Sequence, residues 1–196
     1  MVHQELLLPT ADRQMLASLI GETIGGVASM NPYFRESWEA SYELSIEVGE
    51  RVILLEATWA ASSDTLLADE LASFAATAGV ASDFRRLSTW YHWWKGETIT
   101  EVLLVTDEVT VQRADEEDSH LVHDIGVVFF CDVHAIAVCL DQNLEFPNLI
   151  VGHELVEAGK PGIHTHPGVS SLHWLSAERV THARSIVALS AQGASL

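Results

Sequence analysis

Apolar and polar positions alternate most regularly between Tyr42 and Leu55. Tyr42, Leu44, Ile46 and Val48 interleave with Glu43, Ser45 and Glu47, so an extended chain sets an apolar face against an acidic one. Gly49-Glu50 supplies a turn and Val52–Leu55 a returning strand, which makes a hairpin with one solvated face. Ile125–Cys131 and Ala135–Leu140 are two strongly apolar runs joined by Asp132-Val133-His134, and they predict a central hairpin. Phe146-Pro147-Asn148 turns into a further strand at Leu149–Val151. Ser88–Trp94 reads as an aromatic strand. Thr98–Thr106 and Glu108–Arg113 read as two strands, with Asp107-Glu108 taken as turn charges.

Helical spacing occurs in three places. Pro9-Thr10-Ala11-Asp12 suits a helix start, and Leu16, Leu19 and Ile20 follow on one face. Thr23–Ser29 reads either as a strand or as a frayed continuation of that helix. Ser62-Ser63-Asp64 resembles a cap, and Leu66, Leu67, Leu71 and Phe74 with many alanines predict a helix to Gly79. Leu175, Val180, Ile186 and Leu189 predict a last helix between Leu172 and Leu189. The expected fold is one α+β domain over residues 1–196. It has an antiparallel sheet of about seven or eight strands and N-terminal, middle and C-terminal helices, with residues 172–196 a helical C-terminal appendage.

Composition points to a folded chain and narrows its partners. Of 196 residues, 48% are hydrophobic, enough for a sizeable core. Ten Lys+Arg stand against 28 Asp+Glu, a formal net charge of −18. Such a surface repels nucleic acid and anionic membranes and steers cationic proteins toward itself. The N-terminal Met1–Leu8 lacks the basic and apolar regions of a secretory leader, and no apolar run reaches a membrane-spanning length. The two cysteines, Cys131 and Cys139, lie in apolar runs without a CxxC pair, so a reducing cytoplasm is expected.

Ten histidines make metal chemistry worth weighing. His153-Glu154, His164-Thr165-His166-Pro167 and His173 are the densest group, and His164 and His166 would share one side of a strand. The string His-Thr-His-Pro resembles the zinc-binding core of JAMM-type metalloproteases. That resemblance implies a zinc hydrolase using His164 and His166, with one of Glu154, His153 or His173 completing the ligand set. The family's following Ser-x-x-Asp is missing, since no Asp occurs after Asp141. HExxH, GxSxG and P-loop patterns are absent. Cys131, Asp132 and His134 are close in sequence, but alternate residues of a hairpin face opposite ways, so Cys131 is read as core.

Asp107, Glu108 and the run Asp115, Glu116, Glu117 and Asp118 form acidic turns suited to a basic partner, and Trp93 and Trp94 are candidate interface anchors. The succession Asp124–Phe130, Ala135–Val138 and Pro147–Val151 is similar to small acidic bacterial domains, among them immunity proteins of toxin systems. This resemblance implies an inhibitor that binds a cognate basic toxin domain and occludes its active site, with no catalytic residue and no cofactor of its own.

Overall fold

The computed structural model describes residues 2–29, 31, 40, 42–61, 70–80, 89–112, 118–143, 146–155 and 179–190. Among them the chain forms eleven strands and one helix. In order these are β1 (Val2–Leu6), α1 (Thr10–Ala17), β2 (Ile24–Ser29), β3 (Glu43–Val48), β4 (Arg51–Ala61) and β5 (Glu70–Val80), then β6 (Thr89–Tyr91), β7 (Ile99–Gln112), β8 (Ser119–Cys131), β9 (His134–Asn143), β10 (Phe146–Leu155) and β11 (Arg179–Ala188). They make two sheets. Six strands run β10-β9-β8-β7-β11 with β1 added parallel to β8, and five run β5-β4-β3-β2-β6. The sheets meet where β5 contacts β8 and β9 and where β10 contacts β3 and β4.

The local signals hold. Gly49, at φ 60°, closes the β3/β4 hairpin, a left-handed position that glycine takes without a Cβ penalty. The apolar runs form the β8/β9 hairpin, and β10 follows antiparallel to β9. Both faces of β9 from Ala135 to Leu140 are buried, which explains an unbroken apolar run in place of alternation. Cys131 and Cys139 are free, buried and not opposite each other. The helix at Thr10 forms as its start signal predicts, and Thr23–Ser29 takes the strand alternative.

The α+β expectation is overturned: the fold is mostly β, in two sheets rather than one. The middle helix is absent over Glu70–Val80, which pairs with β4 through eleven consecutive positions, from Arg51↔Val80 to Ala61↔Glu70. Phe74 and Ala76 face inward while Thr77 is exposed, a period of two. Alanine's helix preference is a fraction of a kcal/mol per residue, and a long open strand edge outweighs it. The C-terminal helix fails likewise. Arg179–Ala188 lies antiparallel to β7 with ten matched positions, and Val180, Thr181, Ile186 and Val187 are β-branched.

Two smaller corrections bear on the site. In place of the two strands expected over Thr98–Thr106 and Glu108–Arg113 there is one, β7 (Ile99–Gln112), running straight through Asp107. The aromatic strand stops at Tyr91, because the chain must turn between β6 and β7. Gly96 donates to Ile24 O at 2.9 Å, Ile24 donates to Glu97 O at 2.9 Å, and Trp94 takes a left-handed φ of 56° within that turn. No helix among the described residues is long and apolar enough to cross a membrane.

Candidate functional site

The polar side chains with chemical potential gather along β7 and β8. From Val105 onward the odd positions of β7 (Val105, Asp107, Val109, Val111) are buried, while Thr106, Glu108 and Thr110 look the other way. Asp107 therefore sits, fully buried, beside His123 of β8 on one side and Arg184 of β11 on the other. Arg184 donates from Nε to Asp107 Oδ1 at 2.6 Å and from Nη2 to Oδ2 at 2.9 Å, a two-pronged ion pair. His182, two residues earlier on the same face of β11, brings Nε2 within 3.0 Å of Oδ2. Burial pushes the Asp107 carboxyl up, but the hydrogen bonds and charges of Arg184 and His182 outweigh it and hold the carboxyl below its usual range. In return Asp107 raises the Arg184 guanidinium.

His123 is unlike its neighbours. It is wholly buried, and neither ring nitrogen has a hydrogen-bond partner among the described residues. Burial drives its pKa down to about 4, against the pull of the Asp107 and Asp124 carboxylates, so the ring is neutral at pH 7. Cys139 shares this interior, and burial pushes its thiol up to about 12. Cys131 is likewise pushed up to about 12 by burial and then by Glu97 and Asp132, which removes it as a nucleophile.

The opposite face carries a second buried carboxylate. Asp124 accepts from Leu8 N (2.8 Å), Arg13 Nη2 (2.7 Å) and Thr106 Oγ1 (2.6 Å), tying the β1–α1 link and α1 to the sheet. The register skips Ile125 between Asp124 and Gly126, a bulge on β8. At Gly126 a Cβ would lie 2.3 Å from Val138 O and 2.7 Å from Cys139 Sγ, so only glycine lets β9 approach there. Beside α1 lies a cavity of about 280 Å³ lined by Thr10, Arg13, Leu104, Thr106, Val187 and Leu189, among others.

At the outer end of the same strands, four side chains form a chain across the surface. His3 of β1 stands level with His120 of β8. Their Nδ1 atoms are 2.8 Å apart, while His3 Nε2 is 3.0 Å from Glu5 Oε1 and His120 Nε2 is 2.8 Å from Glu108 Oε1. His3, Glu5 and Glu108 are about half exposed, at 49%, 55% and 58%.

The residues nominated by sequence divide sharply. Asp107 is core and has its charge met inside, so the expectation of an acidic turn there is corrected; Glu108, next to it, projects outward. Asp118 is half-buried. Trp93 is half-buried and stacks on Tyr91, with ring centroids 4.5 Å apart, while Trp94 is buried in the core. Asp115, Glu116 and Glu117 lie outside the described residues, as do His164, His166 and His173. Glu154 lies on β10, with its backbone opposite Ala135. The zinc-ligand set is thus not assembled or refuted by the described residues. Sequence reasoning passed over His123, Arg184, His182, Asp124, Arg13 and the His3/His120 pair. An Arg within an otherwise strand-forming run at 179–188 was the nearest signal.

Scans against protein-family models, curated proteins and solved structures find no match to this chain.

Proposed function

We propose that the chain is an acidic binding domain whose partner is a basic protein. One observation carries this reading: Arg13, Arg51 and Arg184 spend their charge on partners within the chain, which leaves few free cations, Lys95 and Arg179 among the described residues, against a large excess of carboxylates. Arg13 serves the buried Asp124, Arg184 serves the buried Asp107, and Arg51 binds Ser18 with Glu22 at 3.7 Å. Glu5 and Glu108 stand exposed at one sheet end, and the whole chain carries −18. Outward acidity of this kind speeds encounter with a positive surface and discriminates against acidic ones. The specific form we favour is an inhibitor of the immunity type, which neutralises a basic toxin by covering its active site. Glu108, Asp118 and Trp93, together with Asp115, Glu116 and Glu117 outside the described residues, are the contact residues of this reading, whereas Asp107 and Trp94 are buried.

The test is titration of the purified chain against the basic proteins encoded beside its gene, at low and high salt. A partner bound tightly at low salt and at least ~10-fold more weakly at high salt supports the reading, as does further weakening by Glu5→Gln with Glu108→Gln. Binding that ignores salt, or the absence of any basic partner, defeats it.

A further inference from the structure

We infer that the cavity beside α1 is a binding site for a small uncharged molecule with an apolar body and a carbonyl group at one end. This inference stands apart from the partner reading, which concerns a protein surface. It rests on how the cavity walls are composed and held. One wall belongs to α1 and is polar: Thr10, Arg13 and Gln14. The other is the end of β11 and the two residues after it, and it is mostly apolar: Val187, Ala188 and Leu189, then Ser190. Leu104 and Thr106 of β7 lie between them. Hydrogen bonds hold all three parts in place. Asp124 accepts from Arg13 Nη2 on α1, from Thr106 Oγ1 on β7 and from Leu8 N just before the helix. Leu189 N donates to Val102 O at 2.8 Å, which fixes the apolar wall to the same strand. A cavity pinned in this way keeps its volume instead of collapsing, and a ligand need not order it on binding.

Volume sets the size of the occupant. An apolar cavity of about 150 Å³ holds benzene. A cavity of about 280 Å³ therefore holds roughly ten non-hydrogen atoms. Water fills this space poorly, because Leu104, Val187 and Leu189 offer it no hydrogen bonds, and Val187 is left 55% exposed. The polar wall, by contrast, has donors to spare. Arg13 spends Nη2 on Asp124, and among the described residues its Nη1 has no partner. Its Nε is enclosed, so a ligand meets this side chain, 35% exposed, at its outer end. The Thr10 hydroxyl and the Gln14 amide likewise make no hydrogen bond among the described residues. Charge then settles the class. The Arg13 and Asp124 charges cancel at 2.7 Å, and the whole chain carries −18, so an anion finds little free positive charge here and is repelled by the rest. A cation would face the guanidinium. A neutral carbonyl accepts from Arg13 Nη1 or Thr10 Oγ1 without bringing charge, while its body covers Leu104, Val187 and Leu189.

The experiment is titration of the full chain with phenylacetamide, followed by the NMR shifts of the backbone amides. Phenylacetate, which has the same shape and adds a negative charge, is titrated alongside. The expected result is saturable shifts at Arg13, Leu104, Thr106 and Ala188, with the amide bound at least ~5-fold more tightly than the carboxylate. Val187→Trp, at an exposed position of the apolar wall, should occupy the cavity and weaken the amide at least ~10-fold while the rest of the spectrum is unchanged. Thr10→Val with Gln14→Leu, both exposed on α1, removes donors without touching the Asp124 hydrogen bonds and should weaken it at least ~3-fold. No saturable shift with phenylacetamide, phenylacetate bound as tightly as the amide, or binding that both variants leave unchanged overturns the proposal.

Discussion

β7 and β8 carry the same chemistry twice, carboxylate against imidazole across paired strands, with opposite consequences. Asp107 lies level with His123 in the interior, and two positions toward the strand end Val109 lies level with Leu121. On the other face, Glu108 reaches His120 at the surface. Inside, water is gone, so Asp107 is stable only because Arg184 and His182 meet its charge, and His123 stays neutral. Outside, the Glu5–His3–His120–Glu108 chain is open to water and salt, and its charges are free to trade partners. Neighbouring residues of one strand therefore hold the core together in one direction and meet solvent in the other.

The sharpest way to break this contrast is Arg184→Leu. It leaves Asp107 charged and buried without its main partner, and urea unfolding should show a loss of about 3–5 kcal/mol. Adding Asp107→Leu should recover most of that loss, since an apolar pair of similar volume often replaces a buried ion pair at little cost. A double variant as unstable as the single one would mean the pair does more than satisfy itself.

The next largest effect is in pH. His123 has a folded pKa of about 4 against an ordinary 6.5, so the unfolded chain takes up the proton first. Stability should be level above pH ~6.5 and decline as pH falls from there to about 4, by roughly 3 kcal/mol in all. His123→Leu should flatten that stretch of the curve. Asp107 acts in a lower window: its carboxyl is held below the ordinary range, so its contribution is present above that range and disappears as pH falls through the lowered value. A wild-type curve already flat between pH ~6.5 and ~4 would place His123 in a wetter setting than the structure shows.

The smallest effect belongs to the surface. Glu108→Gln should change unfolding stability by less than about 0.5 kcal/mol, even though it alters the pair that His120 makes. A loss comparable to that of Arg184→Leu would erase the distinction between the two faces.

How much of this was legible depended on whether the signal was local. The β3/β4 and β8/β9 hairpins could be read because alternation, or unbroken apolarity, and the turn residues lie within a dozen neighbouring positions. Glu70–Val80 and Arg179–Ala188 could not, because small or sparse apolar residues leave the choice to whichever edge is open. The site was less legible still. Asp107 reads as an exposed turn charge until Arg184, 77 positions later, is laid beside it, and His3 meets His120 across 117 positions.

By itself, then, the sequence determined a folded, strongly acidic chain, its hairpins and its first helix, because charge balance and short-range periodicity are properties of neighbouring residues. Only the tertiary structure decided that the Ala-rich and C-terminal segments are strands, which acids are buried and which exposed, and which imidazoles meet. Strand pairing is long-range, and a one-residue change of register would have turned every one of those side chains to the other face.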